Sequence, residues 1–390
     1  MIPKRTVGRT GEMASILGFG CMRLPLTGPN PDQIDCDLAV DMLRRSIDRG
    51  VNYIDTAYPY HPVAGREQPG ASEPLVAQAL SGGYREKVLL ATKLPTWLVH
   101  NRRDMDRLLD HQLERLKVSQ IDFYLAHNLN ASVWDGLLAS GLREFLDEAV
   151  KDGRIKSPAF SFHDNYSLFE RIVESYDWTM AQIQYNYLDR NYQAGRRGAE
   201  LVTKKGMGLV IMEPLRGGFL VDQVPETPRA LFSKIRPEWS LPAWGLNWLW
   251  GQPEVSVVLS GMSTMAQVQE NLSLAQSWTE GKFTSEDLAA TDQVRDFFQA
   301  RMKTNCTACG YCMPCSTGVD IPKNLSFLNQ YYLFEAQVAK ERCQYFYGVQ
   351  LSKPEMAVNC IACGQCEEKC PQHIQIPDWL AETAKLYSPS

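Results

Sequence analysis

Two cysteine runs near the end of the chain have the residue types and the spacing for metal chemistry. They read Cys306-Thr-Ala-Cys309-Gly-Tyr-Cys312-Met-Pro-Cys315 and Cys360-Ile-Ala-Cys363-Gly-Gln-Cys366-Glu-Glu-Lys-Cys370-Pro. A thiolate every third residue lets a short loop curl around one compact inorganic core, and a [4Fe–4S] cube takes four such ligands. Zinc is the alternative, but its ligands usually come as two pairs set well apart. A tight run of three with a fourth cysteine close behind points to iron–sulfur clusters. In two-cluster proteins the fourth cysteine of one run serves the other cluster. One cluster is therefore expected on Cys306, Cys309, Cys312 and Cys370, and the other on Cys360, Cys363, Cys366 and Cys315. Cys343, spaced from both runs, reads as a buried thiol.

A second set lies in the first half of the chain. Asp55, Lys93 and His127 each stand at the end of a short apolar run, with Tyr58 and Tyr60 just after the first. Singly, each has a plain structural reading: a turn cap for Asp55, a snorkelling side chain for Lys93, a satisfied core imidazole for His127. Jointly they make a proton-transfer site. A buried Asp–Lys pair polarises a nearby tyrosine, the ammonium being expected to lower the phenol's pKa. Such a tyrosine donates a proton to a carbonyl oxygen while hydride arrives at carbon.

These residues need a scaffold that brings strand ends together. From Leu17 onward strand and helix signals alternate. Apolar runs at 16–20, 51–54, 88–92, 121–126, 155–161, 180–184, 208–212 and 255–259 read as eight strands. Helical spacing fills the intervals at 38–47, 72–80, 105–116, 142–150, 168–175, 199–204, 243–250 and 265–275. The pattern predicts an α/β fold, a (β/α)8 TIM barrel, with chemistry at the C-terminal ends of its strands. An open doubly wound sheet is the alternative, but no Gly-x-Gly-x-x-Gly follows the first strand. Residues 3–20 read as a hairpin leading into that strand, and Glu73 as an acidic residue in a first helical turn, where the helix dipole favours it.

The expected domains are a barrel over 1–283, a helical connector over 284–303, and a C-terminal helical ferredoxin-like iron–sulfur domain over 304–390. Helical sequence fills 325–347 between the cysteine runs. The echo of Val319-Asp-Ile-Pro322 in Ile374-Gln-Ile-Pro377 predicts two related half-sites. Trp239, Trp244, Trp248 and Trp250 crowd one segment and read as core, with the wall of a substrate pocket as the other reading.

At 390 residues there is room for one large and one small domain. A net charge of −5 and the lack of any basic run argue against nucleic acid as a partner. No stretch of about eighteen apolar residues is present, and no apolar core follows the charged N-terminus, so neither a membrane span nor a signal peptide is expected. The cysteines then belong to cluster ligation in a reducing cytoplasm.

Several stretches together identify a family. Leu17-Gly-Phe-Gly-Cys-Met-Arg-Leu-Pro25, Asp55-Thr-Ala-Tyr-Pro-Tyr60, Lys93-Leu94 and Phe123-Tyr-Leu-Ala-His127 resemble the aldo-keto reductases, and the cysteine tail is similar to the branch carrying a C-terminal 2×[4Fe–4S] module. The resemblance covers nearly the whole chain. It implies a catalytic tetrad of Asp55, Tyr60, Lys93 and His127: Tyr60 as proton donor, Asp55 and Lys93 tuning it, His127 orienting the carbonyl. It also implies NAD(P)H lying across the strand ends. Expected contacts are Gly20, Cys21 and Met22 after the first strand, Ser161, Gln182 and Met212 around the nicotinamide, Pro214, Leu215 and Gly217 beyond it, and Ser260, Gly261, Met262, Gln267, Glu270 and Asn271 at the adenosine end. Phe162 stands where the family usually has asparagine, and Met212 where it has a stacking tyrosine. The Lys and Arg that clamp a 2′-phosphate are replaced near Gly261 and Gln267, which favours NAD(H) over NADP(H), since each lost charge-assisted hydrogen bond is worth about 1.5–3 kcal/mol.

Three functional readings follow. The first is an oxidoreductase acting on a small-molecule carbonyl or alcohol. The second is a reductase fed through its clusters by ferredoxin or another electron carrier, with a flavin in place of nicotinamide, because clusters move single electrons and nicotinamide moves a pair. The third is a non-catalytic redox sensor or partner-binding protein.

Overall fold

The computed structural model describes residues 1–63, 67–222, 224–306, 311–333, 337–370 and 372–387, with residue 339 as backbone alone. Eight parallel strands close into a barrel: β1 Leu17–Gly20, β2 Tyr53–Asp55, β3 Leu89–Leu94, β4 Ile121–Leu129, β5 Ile155–Phe162, β6 Met180–Gln184, β7 Gly208–Met212 and β8 Val257–Ser260. Each strand pairs with its sequence neighbours, and β8 returns to β1 with Val258 opposite Leu17. The expected (β/α)8 order is met. The differences lie at the strand ends: β3 runs on through Leu94 and β4 through Leu129, so Lys93 and His127 sit inside strands.

Alternation along each strand sends every second side chain inward. Tyr53, Ala91, Leu125, Ala159, Val210 and Val257 meet in one buried cluster at the barrel's centre. Gly18 belongs to that interior because a Cβ there would lie 2.8 Å from both Leu259 Cδ2 and Val257 Cγ1. The N-terminal hairpin, Lys4–Thr6 against Met13–Ser15, contributes Val7 to the same cluster.

The chain divides into two compact units. The first comprises Met1–Asn186, Ala194–Pro214 and Leu246–Phe283, and the second Tyr187–Gln193, Leu215–Gly245 and Thr284–Ser390. In the second unit, helix Ser285–Gln299 opens with a capping box, Asp287 Oδ2 accepting from Thr284 N at 2.8 Å. The same carboxylate is gripped by the Arg236 guanidinium at 2.8 and 2.9 Å, and Arg190 pairs with Asp292. Helices Ile321–Leu333 and Ile376–Tyr387 each begin with Ile-Pro and pack on one another, with Val319, Ile321, Ile374 and Ile376 in a shared apolar cluster. The sequence echo is therefore a structural one. Asn324, fully buried, ties the two halves: its Nδ2 donates to Asp320 O and Glu355 O, and its Oδ1 accepts from Ala357 N and the Tyr347 hydroxyl.

Among the described helices of eight or more residues, three were not expected: Ala131–Ala139, Glu226–Ile235 and Ile376–Tyr387. The first carries Gly136 and the second Pro228, both poor helix formers, so local pattern did not announce them. Of the tryptophans, Trp244, Trp248 and Trp250 are buried, as the core reading expects. No helix among the described residues is long and apolar enough to cross a membrane.

Candidate active site and cluster cavity

Strand register explains why three distant residues converge. Asp55 on β2 pairs with Ala91 on β3, and Lys93 lies two residues beyond on the same inward face. Lys93 pairs in turn with Leu125 on β4, and His127 is two residues beyond that. The stagger of the barrel thus carries each side chain one step higher than the last. Lys93 Nζ donates to Asp55 Oδ1 at 2.8 Å, to Oδ2 at 2.6 Å and to Thr56 O at 2.8 Å, with both side chains almost fully buried. Burial pushes Asp55 up and Lys93 down, each shift being opposed by the partner's charge.

Tyr60 lies over this pair, its ring centroid 4.9 Å from Lys93 Nζ. Its ring meets His127 edge-on at 6.1 Å, and Trp97 covers His127 at 5.3 Å. The Tyr60 phenol is pushed well above its ordinary value, opposite to the direction expected from Lys93. Desolvation is the largest cause, although part of the side chain reaches the surface, and Asp55, Cys21 and Glu213 add to it. The three Lys93 donors go to Asp55 and Thr56, and burial decides the direction of the shift at the phenol. Tyr58 is buried elsewhere, against His111.

Backbone strain marks the same rim. His61, Asn128 and Glu213, with φ of +60°, +56° and +53°, directly follow Tyr60, His127 and Met212. Left-handed non-glycine residues cost of order 1–3 kcal/mol and cluster at functional sites. His61 is pinned where it stands: Nδ1 bonds Pro31 O at 2.7 Å and Nε2 accepts from Leu24 N at 3.2 Å. The register of β4 against β5 shifts between Ala126 and Leu129, a bulge at His127.

In the second unit one cavity is lined by Cys312, Cys315, Cys360, Cys363 and Cys366, with Ile321, Pro377 and Leu380 as its apolar wall. Cys306 and Cys370 pack with them around the adjoining apolar cluster. Cys309 lies outside the described residues. Among the described residues no three Cys, His, Asp or Glu side chains close on a single-ion site. An all-thiol donor set around an apolar-walled cavity suits a cube better than one zinc ion. Burial raises the Cys315 thiol, but hydrogen bonds from Thr317, Val319 and Gly318 outweigh it and leave the group below its ordinary value. Cys343 is 2% exposed, the buried thiol expected of it.

Residues 16–296 match the aldo/keto reductase family. The chain belongs to that family. Residues 305–375 match a 4Fe-4S dicluster domain, so this is an oxidoreductase of the aldo/keto reductase type that carries an iron–sulfur module. Among curated relatives it is similar to the uncharacterized oxidoreductase YqkF of Bacillus subtilis (strain 168), with 25% identity over 74% of this chain and 94% of that protein. It is also similar to L-glyceraldehyde 3-phosphate reductase of Escherichia coli O157:H7, with 23% identity over 65% of this chain and 82% of that one. Among solved structures, the holo form of aldo-keto reductase AKR11C1 from Bacillus halodurans superposes with a TM-score of 0.63 at 23% identity, covering 75% of this chain and 96% of that one. The thermostable aldo-keto reductase Tm1743, solved with the inhibitor epalrestat, gives 0.61 at 26% identity, covering 75% and 99%.

The residues of this reductase fit a nicotinamide. Ser161 on β5 and Gln182 on β6 are register partners, both buried, and Met212 ends β7. Gln182 Nε2 contacts Met212 Sδ at 3.7 Å, while its Oε1 is buried without a hydrogen-bond partner. An orphaned amide oxygen suits a carboxamide N–H, because an unmet buried acceptor costs about 1–3 kcal/mol. Ser161 Oγ accepts from Asn128 N at 2.8 Å. Phe162 faces away, packed on Phe169 at 5.1 Å. Gly20, Cys21, Met22 and Pro214 lie in the first unit and Leu215 and Gly217 in the second, Gly217 with φ of +64°. Cys21 is buried beside the tetrad, and burial, with Asp55 adding to it, raises its thiol.

Among the residues expected to face an adenosine, Gln267 Oε1 accepts from Ser263 N at 2.8 Å, and Asn271, buried, donates to Ser260 Oγ at 2.9 Å. Glu270 and Gly261 are partly exposed and Met262 is buried. One cation escaped the sequence reading. Arg23, from the loop after β1, lies across Gly261, its Cβ, Cγ and Cδ 3.3–3.4 Å from where a Gly261 Cβ would stand. Its carbonyl accepts from Ser263 Oγ at 2.7 Å, and its guanidinium has no ion pair or hydrogen bond among the described residues.

Proposed function

We propose that this aldo/keto reductase reduces a small-molecule carbonyl, with Tyr60 as the proton donor. The observation that carries the reading is the Tyr60 ring, its centroid 4.9 Å from Lys93 Nζ over the buried Lys93–Asp55 pair. His127, edge-on to Tyr60 and half-buried, is placed to orient the carbonyl oxygen, and Trp97 shields it from water. Burial, with the Asp55 charge adding to it, keeps the phenol from ionising and leaves its proton for the substrate oxygen. NADH or NADPH, when bound, supplies the hydride. Ser161 and the unmet Gln182 oxygen would hold its carboxamide, and Met212 would pack on the ring edge.

The proposed barrel ends at residue 283, and residues 304–390 would hold two [4Fe–4S] clusters. One is assigned to Cys306, Cys309, Cys312 and Cys370, the other to Cys360, Cys363, Cys366 and Cys315. Cys315 lines one cavity with Cys360, Cys363 and Cys366, as the crossed assignment requires, and Cys312 lines that cavity too. The clusters, when bound, supply single electrons, and a ferredoxin is the kind of carrier that would exchange them.

The test is to reduce the full chain anaerobically and add NAD, then NADP. Recovery of cluster absorbance is the expected sign that the two electron systems communicate. No recovery, together with a flavin spectrum in the purified protein, would replace nicotinamide in this reading with flavin. Arg23 gives a further expected outcome. Arg23→Ala should weaken NADP binding more than NAD binding, by about 10-fold or more, since one charge-assisted bond to a phosphate is worth about 1.5–3 kcal/mol. Titration of both nucleotides by protein fluorescence checks it, and equal weakening would leave Arg23 without a role in the choice.

A further inference from the structure

We propose that Glu73 is a positioning residue for Tyr60 and Lys93, its buried carboxylate fastening the loop that carries one to the strand that carries the other. The inference rests on the reading of Tyr60 as proton donor. Glu73 lies in the first turn of helix Ser72–Leu80, where the helix dipole favours an acid, and it is fully buried. A buried carboxylate persists only when its oxygens are all met. Oε1 accepts from Thr92 Oγ1 at 2.8 Å and Gln112 Nε2 at 2.7 Å, and Oε2 accepts from Arg115 Nε at 2.9 Å.

The first arm of this cluster reaches β3. Thr92 immediately precedes Lys93, and Gln112 Nε2 also donates to Lys93 O at 3.1 Å. Gln112 is itself fixed by the Tyr124 hydroxyl, which donates to its Oε1 at 2.8 Å. The second arm reaches Tyr60. Arg115 also donates to Gly70 O, and Gly70 N donates to Tyr58 O at 2.7 Å. Ala71 N and Ser72 N donate to His61 O and Tyr60 O at 2.9 and 3.2 Å. The seat is tight: a Cβ on Gly70 would stand 1.9 Å from Tyr60 O, so only glycine lets the segment lie against the Tyr60 backbone. Glu73 therefore sits where the Tyr60 loop and the Lys93 strand are tied to one another. Its charge is also felt at Lys93, where it favours the ammonium.

A purely structural ion pair would stabilise the helix packing and leave the chemistry alone, so the test separates the two. Glu73→Gln keeps the shape and removes the charge that holds Arg115. In the full chain with clusters loaded, two quantities are read. The first is kcat against KM for NADH- or NADPH-dependent reduction of 4-nitrobenzaldehyde. Here kcat should fall by up to about 10²-fold with KM unchanged, the size of effect that misplacement by an ångström produces. The second needs no turnover: the Tyr60 phenol is titrated by tyrosinate absorbance, as the difference between each protein and its Tyr60→Phe derivative. In Glu73→Gln this ionisation should move down toward that of ordinary tyrosine, as the loop loosens and water enters.

A lowered melting temperature with kcat and the Tyr60 titration unchanged would overturn the proposal. If Glu73→Gln does not fold, Arg115→Lys, which keeps the charge and loses the fork, takes its place with the same readouts. Full turnover in Tyr60→Phe would remove the proton-donor reading, and the titration would still decide whether Glu73 positions Tyr60.

Discussion

Tyr60→Phe is expected to lower kcat for carbonyl reduction by about 10²–10⁴-fold, the usual contribution of one positioned acid. That loss corresponds to about 3–5 kcal/mol of transition-state stabilisation. KM should stay close to that of the parent, because the ring that meets His127 is retained and only the proton is removed. Iron and sulfide content should not change, since Tyr60 and the cysteine runs belong to different compact units. The pH profile carries the sign. A phenol donates only while protonated, and this one is raised, so reduction should show no alkaline loss from Tyr60 below about pH 10, the ordinary tyrosine range. Replacing Lys93 is a poorer test, because it strands a buried Asp55 carboxylate and costs about 3–5 kcal/mol in stability. Undiminished turnover in Tyr60→Phe would remove the residue from the mechanism.

The second large effect belongs to the module. If each run lends its fourth cysteine to the other's cluster, Cys315→Ser takes a ligand from the second run's cluster and Cys370→Ser from the first's, and the loop that the lost ligand tethered should release the remaining cluster as well. Iron content would then fall from about eight atoms per chain toward zero. The helices that begin at Ile321 and Ile376 should melt with the clusters, since the cysteine loops pack on the same apolar cluster as those helices. The measurement is iron and sulfide per chain with far-ultraviolet circular dichroism. Loss of about four iron atoms in each variant, with the other cluster and the helices intact, would show independent ligation instead.

Much of this was legible in the sequence because barrels and clusters are both periodic. Strands buried on both faces read as short apolar runs, and β6 and β7 were placed to the residue. The cysteine spacing states its own chemistry. What could not be read depends on partners far away in the chain. The direction of the Tyr60 shift turns on its burial, with Asp55, Cys21 and Glu213 adding to it, a matter of three dimensions. Arg23 comes to Gly261 from the opposite end of the barrel sequence, its carbonyl 240 positions from the hydroxyl it receives. The place of Glu73 in a first turn is local, whereas its burial is set by Thr92, Gln112 and Arg115.

The second unit is stitched together from three pieces of chain, and this has a consequence for how the molecule is made. Segments 187–193 and 215–245 leave the ribosome early, directly after the sixth and seventh barrel strands. Their partners come last: Asp292 for Arg190, and Arg342, which donates to Gly217 O at 2.7 Å. These two contacts can form only after the later chain has been made. A single cut near residue 283 would part Arg190 from Asp292 and Gly217 from Arg342.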